Sequence, residues 1–249
     1  MDSSKPHLDY RDEFVTALAA LTVSDRAKEA LAETNFVVLM GVAGSGRNTI
    51  IDELTKTNLY KFVVSDTTRP PKFRNGALEQ DGVQYFFRDE KEMLEDIKNG
   101  EFIEAELIHN QQVSGVSIRA LELAGADGKI PITDLEYKGA NVISEAMPRA
   151  KIIALLPPTY EIWLARVNGR ELMAQDEFFN RLRTAKSVLE SILSNRKFKI
   201  IINDTIEGAA KDIRNIVEHN AYDDETYMSG RAVAEALLAR VNETLATTN

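Results

Sequence analysis

The chain has 249 residues, of which 44% are hydrophobic and 28% charged, the balance of an ordinary globular protein with room for a sizeable core. Its formal charge of −9 argues against nonspecific binding to nucleic acid or to anionic membranes, because both attract basic surfaces. The absence of cysteine excludes disulfides and thiolate metal sites, and the three histidines lack the spacing of zinc ligands.

The N-terminal region is polar and charged apart from an alanine- and leucine-rich patch at residues 14–21. This patch predicts one or two helices, so we expect residues 1–34 to form a helical extension ahead of the main domain. The region lacks the basic and apolar segments of a signal peptide, and no stretch of the chain approaches the roughly 18 apolar residues of a membrane span. We therefore expect a cytoplasmic protein with no membrane partner and no nucleic-acid partner.

Strand and helix patterns alternate from residue 35 onward. The apolar run at residues 36–40 precedes a glycine-rich loop, after which Ile50, Ile51 and Leu54 recur at helical spacing. Further apolar runs predict strands at residues 62–64, 102–108, 130–132, 151–156 and 199–202. Alternating strands and helices predict an α/β fold of three layers, with a mainly parallel central sheet and helices on both of its faces.

The C-terminal part of the chain predicts two more helices. The last helix of the main domain is expected at residues 206–218, and residues 221–225 have the composition of a linker. Apolar residues at helical spacing then predict an amphipathic helix at residues 230–246. We therefore place the main domain at residues 35–220 and a linker with a C-terminal helix at residues 221–249.

The glycine-rich loop follows a buried-looking strand and opens a helix, which is the context that a phosphate-binding loop (P-loop) requires. Glycines let the backbone curl, so that successive N–H groups and the helix N-terminus point at one phosphate group. The spacing from Gly41 to Gly46 matches this pattern. We predict ATP contacts from the loop residues Gly41, Ala43, Gly44, Ser45, Gly46, Arg47, Asn48 and Thr49.

Two side chains of this loop depart from the usual pattern, which continues with Lys and then Ser or Thr. Here Arg47 keeps the positive charge in a planar fork, which changes its reach toward the outer phosphates. Asn48 can offer an oxygen to Mg²⁺ directly or through a water, and Thr49 comes one residue too late to replace the hydroxyl simply. The alternative interpretation is that the loop is only a tight connection, so other motifs must decide.

Downstream motifs resemble those of the guanylate kinase family. Residues 65–70 read Ser-Asp-Thr-Thr-Arg-Pro, and residues 81–87 read Asp-Gly-Val-Gln-Tyr-Phe-Phe. They are similar to the family signature, in which a serine, TTR-x-P and DG-x-x-Y-x-F line the pocket for a nucleoside monophosphate. The resemblance covers about residues 35–219 and implies a monophosphate-binding region at about 65–118 and a lid at about 166–190.

Basic residues in and just after the first motif have the chemistry of an anion clamp. Arg69 and a second cation, Lys72 or Arg74, supply positive charge for the acceptor phosphate. The Tyr85 hydroxyl adds a further donor. The family uses an arginine as the second cation, but an insertion in this loop leaves Lys72 and Arg74 as alternatives. The other interpretation is ordinary surface charge.

Base recognition is expected from Glu104, which matches the carboxylate that the family places against guanine. A carboxylate accepts in parallel from the ring N–H and the exocyclic amine of guanine, whereas adenine offers no such pair. Ser65 resembles the second guanine contact. The family has Tyr-Gly-Ser or Tyr-Gly-Thr after this strand, but here Ser114 and Val116 take these positions, with Ser117 adjacent. A solvated glutamate at a strand edge is the alternative for Glu104.

Acids and an amide follow the later predicted strands. Asp134 and Glu136 stand where acids commonly hold Mg²⁺ or its water shell beside a P-loop. The resemblance places the first acid near metal and phosphates and the second near the base, so Asn48 and Asp134 are metal candidates and Glu136 is a GMP contact. Asn203 is expected among the ATP contacts. Helix capping is the alternative for Glu136.

Three arginines fit the segment with which the family closes over the phosphates: Arg166, Arg170 and Arg181. The eleven-residue step from Arg170 to Arg181 is three helical turns, so both share a face if the segment is wholly helical. Arg47, Arg170 and Arg181 are the candidate catalytic residues, because arginines stabilise charge on a transferred phosphoryl group. Alternatively, an exposed arginine only aids solubility.

Together these features predict a kinase that uses ATP with Mg²⁺ to phosphorylate a nucleoside monophosphate, GMP or dGMP. The second hypothesis is a binding or regulatory module that keeps the fold and has lost efficient catalysis, because the loop lysine and hydroxyl are missing. A third is a kinase of altered base preference. No motif indicates a protein partner.

Overall fold

The computed structural model describes residues 8–74, 76–169 and 175–247. Its helices are α1 (Arg11–Ala19), α2 (Asp25–Ala30), α3 (Arg47–Thr55), α4 (Glu90–Lys98), α5 (Ile118–Gly125), α6 (Tyr137–Ala146), α7 (Tyr160–Asn168), α8 (Gln175–Ser194), α9 (Ile206–His219) and α10 (Asp224–Ala246). Its strands are β1 (Val37–Met40), β2 (Tyr60–Phe62), β3 (Asp66–Thr67), β4 (Phe73–Arg74), β5 (Ala77–Leu78), β6 (Phe86–Phe87), β7 (Phe102–Ile108), β8 (Gln112–Ser117), β9 (Ile130–Asp134), β10 (Lys151–Leu156) and β11 (Lys199–Ile202).

The chain divides into two compact units. Unit 1 comprises Met1–Thr34, Lys61–Pro131 and Glu145–Arg149. Unit 2 comprises Asn35–Tyr60, Ile132–Ser144 and Ala150–Asn249.

The larger sheet has five strands in the order β11-β10-β1-β9-β2. β1 pairs in parallel with β10 on one side and β9 on the other, so that Leu39 lies opposite both Ile153 and Asp134. β10 also pairs in parallel with β11. Every residue of β1 is buried, as a central strand covered on both faces requires, which explains its unbroken apolar run. The predicted α/β fold with a mainly parallel central sheet is confirmed.

Unit 1 contains a separate four-stranded sheet in the order β6-β3-β8-β7. β7 and β8 form an antiparallel hairpin, and His109 and Asn110 at its tip have φ of 51° and 57°. The loop has three residues between the paired Ile108 and Gln112, and asparagine is among the residues that tolerate positive φ in such turns. β4 and β5 form a third, two-stranded sheet of their own.

The N-terminal extension contributes to the core of unit 1. Phe14 on α1 is fully buried and packs in a cluster with Met93 and Phe102 from α4 and β7. The Glu90 side chain accepts the backbone N–H of Asp9 at 2.8 Å. The prediction of one or two helices in this region is therefore confirmed, and the extension is packed rather than appended.

Two predicted boundaries were wrong. The strand predicted at residues 62–64 is Tyr60–Phe62, because Val63 is buried by packing although the strand has ended. The C-terminal helix begins at Asp224 rather than at residue 230, since the Asp223 side chain caps it by accepting the N–H of Thr226 at 2.8 Å. No helix within the described residues has the length and apolar character needed to cross a membrane.

Candidate functional site

The P-loop connects β1 to α3 and depends on glycine at two close approaches. Gly46 precedes the helix with φ of 96°, and a Cβ there would lie 2.3 Å from Asn203 Nδ2. A Cβ on Gly41 would lie 2.3 Å from the Leu155 carbonyl oxygen. Neither position therefore accepts a side chain, which gives the predicted glycine spacing a structural reason. The strand, loop and helix predicted here are confirmed.

Asn203 ties the end of β11 to this loop. Its Nδ2 donates to the Ser45 carbonyl at 2.8 Å in a buried hydrogen bond. The Ser45 hydroxyl oxygen and the Asn203 Oδ1 are buried and have no hydrogen-bond partner among the described residues. Because buried polar atoms are normally paired, these two atoms suit a polar ligand at the loop.

A cavity of about 520 Å³ lies beside the loop, within the usual range for small-molecule sites. It is lined by Gly44, Gly46, Thr49, Arg166, Asn203, Asp204, Thr205, Ile206 and Glu207. The Arg166 guanidinium donates to the Asp204 carbonyl at 3.5 Å, so this predicted arginine lies at the cavity. The structure thus brings together the loop, Asn203 and Arg166 in unit 2.

Arg47 turns toward the end of β9. Its Nη1 lies 3.6 Å from Asp134 Oδ2 and donates to the Leu135 carbonyl at 3.3 Å. Arg47 and Asp134 were both predicted site residues, and the structure pairs them with each other. Ala43 in the loop and Asn48 at the start of α3 are both exposed.

The described residues include no cluster of three or more acidic, histidine or cysteine side chains for a metal ion. A magnesium ion bound with a nucleotide needs only one or two protein ligands, because phosphate and water supply the rest. Asp134 fits that requirement, with Asn48 as a neutral oxygen donor on the adjoining helix. The magnesium site therefore stays a prediction, and the oxygen donors of Asp134 and Asn48 fit it.

Trp163 on α7 is a loop contact that sequence reasoning missed. Its indole Nε1 donates to the Ala43 carbonyl at 2.7 Å. A Cβ on Gly44 would meet Val167 Cγ2, also on α7, at 3.1 Å. The available signal was that Trp163 is the sole tryptophan and lies one helical turn before Arg166.

The other predicted arginines are less fully described. Arg181 lies on α8 and donates to Glu177 Oε1 at 2.6 Å, with 37% of its side chain exposed. Arg170 lies outside the described residues. Its shared helical face with Arg181 stays a prediction.

Arg69 is the centre of the candidate acceptor site in unit 1. Its Nη1 and Nη2 donate to Glu79 Oε2 and Oε1 at 2.5 and 2.9 Å, and both side chains are buried. Glu79 also accepts the backbone N–H of Lys72 at 2.9 Å. The Arg69 hydrogen bonds, followed by this N–H, lower the pKa of Glu79 to about 2. Sequence reasoning missed Glu79, although it is an acid in the charged stretch between the two motifs.

Aromatic and basic residues surround this ion pair. The Arg69 guanidinium lies 4.6 Å from the centre of the Tyr85 ring and 5.7 Å from that of Phe87. Arg74 Nε is 3.8 Å from Glu79 Oε1, and its side chain is 66% exposed. Lys72 is also exposed. The structure therefore assembles Arg69 and Tyr85 and leaves both Lys72 and Arg74 as candidate phosphate contacts.

The predicted base-reading residues lie on adjoining strands of the small sheet. Glu104 on β7 is opposite Val116 on β8, and Ser114 lies on β8 with its hydroxyl 2.8 Å from Thr67 Oγ1. Ser65 immediately precedes β3, the other neighbour of β8. Glu104, Ser114 and Ser65 are all partly exposed.

Ser117 has a different environment. Its hydroxyl donates to Asp66 Oδ2 at 2.7 Å and accepts the N–H of Ala120 at 3.1 Å, capping α5. Asp66 is fully buried and also accepts from Arg88 at 3.0 Å and from Arg119 at 2.9 Å. These contacts fix β3 and β8. Ser117 itself is 3% exposed, and its role as a GMP contact stays a prediction.

Glu136, the remaining predicted GMP contact, is exposed in unit 2 between β9 and α6. Its backbone carbonyl accepts the N–H of Ala140 at 3.0 Å in the first turn of the helix. The role of its carboxylate stays a prediction.

Comparisons with known proteins agree with this arrangement. The guanylate kinase family model matches residues 33–220. The chain is 35% identical over 185 residues to the guanylate kinase of Corynebacterium efficiens, covering 73% of this chain and 93% of that protein. It is 32% identical over 184 residues to guanylate kinase 1 of Arabidopsis thaliana, covering 73% of this chain and 46% of the plant protein.

A solved structure gives the same result. The crystal structure of guanylate kinase from Anaplasma phagocytophilum matches with a TM-score of 0.54 and 25% sequence identity, covering 78% of this chain and 89% of that chain. The chain spans about half the length of the plant relative and nearly all of the bacterial relative. The matched region includes both the P-loop and the Arg69–Glu79 pair. The chain belongs to the guanylate kinase family.

Proposed function

We propose that this protein transfers the γ-phosphoryl group of ATP to GMP or dGMP, forming ADP and the nucleoside diphosphate. The observation that carries the proposal is the P-loop, whose Gly44 and Gly46 line a cavity of about 520 Å³ together with Asn203, a residue whose buried Oδ1 has no partner among the described residues. Membership of the family supports the choice of reaction. A cytoplasmic location remains part of the proposal.

In this proposal unit 2 binds ATP. The backbone N–H groups of the loop and the N-terminus of α3 bind the outer phosphates. Arg47 adds positive charge, and the cavity lined by Arg166 and Asn203 takes the rest of the nucleotide. Asp134 and Asn48 would hold Mg²⁺, which neutralises charge on the phosphate oxygens when bound.

Unit 1 binds the acceptor. Arg69, held by Glu79, and the Tyr85 hydroxyl orient the acceptor phosphate together with Lys72 or Arg74. Glu104 and Ser65 read the guanine, with Ser114 and Ser117 as further polar contacts. Glu136 is proposed as an additional GMP contact.

The reaction needs little covalent chemistry from the protein. An oxygen of the GMP phosphate attacks the γ-phosphorus of ATP, and the bond from that phosphorus to the bridging oxygen of ADP breaks. The protein aligns the two phosphates, and Arg181 and Arg170 are proposed to stabilise the charge on the transferred group. Excluding water prevents hydrolysis of ATP in place of transfer.

The test is a coupled assay of ADP release with GMP, dGMP, AMP, UMP and IMP as acceptors. A double variant, Arg47→Lys with Asn48→Ser, is measured in parallel because it restores the usual loop. We expect turnover with GMP and dGMP above that with the other monophosphates. Turnover by neither protein with any monophosphate would rule out the kinase proposal.

One observation favours the alternative of a binding or regulatory module. Arg47 is paired with Asp134 and the Leu135 carbonyl, so its charge is already partly compensated within the protein. In that case GMP raises the melting temperature although no monophosphate is turned over. The same assay, combined with thermal melting, therefore separates the two functions.

A further inference from the structure

Trp163, the sole tryptophan of the chain, contacts the P-loop but was not among the predicted site residues. Its Nε1 lies 2.7 Å from the Ala43 carbonyl oxygen, and the side chain is 3% exposed. We propose that Trp163 is a positioning residue that holds the P-loop in the conformation that binds the triphosphate. The inference rests on the proposed function and names a residue that acts on its ATP site.

The physical basis is the planarity of the peptide bond. In a trans peptide the carbonyl of one residue and the N–H of the next point in opposite directions. By holding the Ala43 carbonyl toward α7, Trp163 also fixes the direction of the Gly44 N–H. A carbonyl turned toward phosphate would repel it, whereas an N–H turned toward it binds it. One hydrogen bond therefore selects the useful orientation of this peptide.

α7 also makes an apolar contact with the loop. Val167, one turn after Trp163, packs against Gly44, whose φ is 80°. A Cβ added to Gly44 would lie only 3.1 Å from Cγ2 of Val167. The Tyr160 ring packs on the Trp163 ring with centroids 5.6 Å apart. α7 thus contacts the loop through two side chains and is itself supported at its N-terminus.

That support comes from α10, beyond the residues that the family model matches. The Tyr160 hydroxyl bonds to Thr244 Oγ1 at 2.7 Å. Arg240 lies 5.0 Å from the Tyr160 ring centre and 3.2 Å from Glu161 Oε1. The C-terminal helix is therefore assigned a role as support for α7, and through Trp163 for the P-loop.

The test compares Trp163→Phe with a matched control, Tyr222→Phe. Phenylalanine at 163 keeps an aromatic ring and removes the N–H donor. The control also removes one donor to a backbone carbonyl in unit 2: the Tyr222 hydroxyl donates to the Ile200 carbonyl at 3.3 Å and accepts the Ile200 N–H at 2.7 Å, on β11 rather than on the loop. Binding of a non-hydrolysable ATP analogue with Mg²⁺, and separately of GMP, is measured by calorimetry.

We expect Trp163→Phe to bind the analogue about three- to tenfold more weakly, the effect of one lost neutral hydrogen bond, and to bind GMP unchanged. Tyr222→Phe is expected to bind both ligands like the wild type. Equal analogue binding by Trp163→Phe and wild type would overturn the inference alone. A wild-type protein that binds no analogue would overturn both the inference and the proposed function.

A second variant tests the role of α10. Thr244→Val removes the partner of the Tyr160 hydroxyl without altering α7 itself. We expect a smaller loss of analogue affinity in the same direction, with GMP binding unchanged. Equal losses for both ligands would indicate general destabilisation and contradict this part of the inference.

Discussion

Arg69 and Glu79 form a buried ion pair with two hydrogen bonds, at 2.5 and 2.9 Å, in the unit that carries the acceptor motifs. The pair fixes the guanidinium against the Tyr85 ring. Because arginine keeps several donors, Arg69 can hold Glu79 and still present an N–H group to a phosphate. This contact preorganises Arg69 for its proposed role in an anion clamp.

The pair predicts a pH dependence of stability. Arg69 lowers the pKa of Glu79 from its ordinary 4.5 to about 2 in the folded protein. Since the folded pKa is the lower one, its stabilisation is fully present above pH 4.5 and is lost as the pH falls toward 2. We expect the difference in urea midpoint between wild type and Glu79→Gln to shrink as the pH is lowered from 4.5 toward 2. A gap that is constant with pH would contradict this role of Glu79.

Gly46→Ala should abolish binding of the ATP analogue. The added Cβ would lie 2.3 Å from Asn203 Nδ2, at a residue whose φ is 96°. The matched control is Gly76→Ala, with φ of 81° and, apart from its chain neighbours, no heavy atom of the described residues within 4 Å of the new Cβ. Each variant carries backbone strain of about 1–2 kcal/mol, but only the first has the clash. Similar analogue affinities of the two variants in calorimetry would show that the close approach is unimportant.

Glu104→Gln should impair guanine recognition. A carboxylate accepts from both donors of guanine, and replacing it by an amide removes charged hydrogen bonds worth about 1.5–3 kcal/mol each. We expect the KM for GMP to rise roughly 10- to 100-fold. IMP lacks the exocyclic amine, so its KM should rise less in the same steady-state assay. An equal rise for both substrates would place Glu104 away from the amine.

Phe14→Ala should destabilise unit 1 although Phe14 precedes the region that the family model matches. Phe14 is fully buried, and truncating a buried phenylalanine costs about 3–5 kcal/mol. The control is Val15→Ala on the same helix, where the side chain is 44% exposed and little change is expected. Urea unfolding compares the two. Equal midpoints would mean that the extension adds nothing to the core.

Local patterns in the sequence predicted much of the fold. The glycine spacing of the P-loop and the apolar runs of β1, β7, β10 and β11 depend on neighbouring residues, and the structure confirms these elements. The start of α10 was missed because its first turns are set by the Asp223 cap and the burial of Tyr227 rather than by a long apolar stripe. Val63 was assigned to a strand because burial alone does not show where strand pairing ends.

The candidate site was less predictable where it depends on tertiary partners. The motif in the sequence predicted Arg69 as an anion-binding residue, but its partner Glu79 is set by the folded course of the insertion. Likewise, no periodicity shows that the indole of Trp163 reaches the Ala43 carbonyl. The pairing of Arg47 with Asp134 joins two residues that the sequence could only name separately.

The central claim is that this P-loop, with Arg47 and Asn48 in place of the usual residues, supports phosphoryl transfer to guanine monophosphates. The most direct measurement is steady-state ADP release by the wild-type protein with ATP, Mg²⁺ and GMP, compared with AMP in place of GMP. The account predicts turnover that depends on GMP and exceeds turnover with AMP. ADP release that is the same with GMP, with AMP and with no acceptor would contradict it.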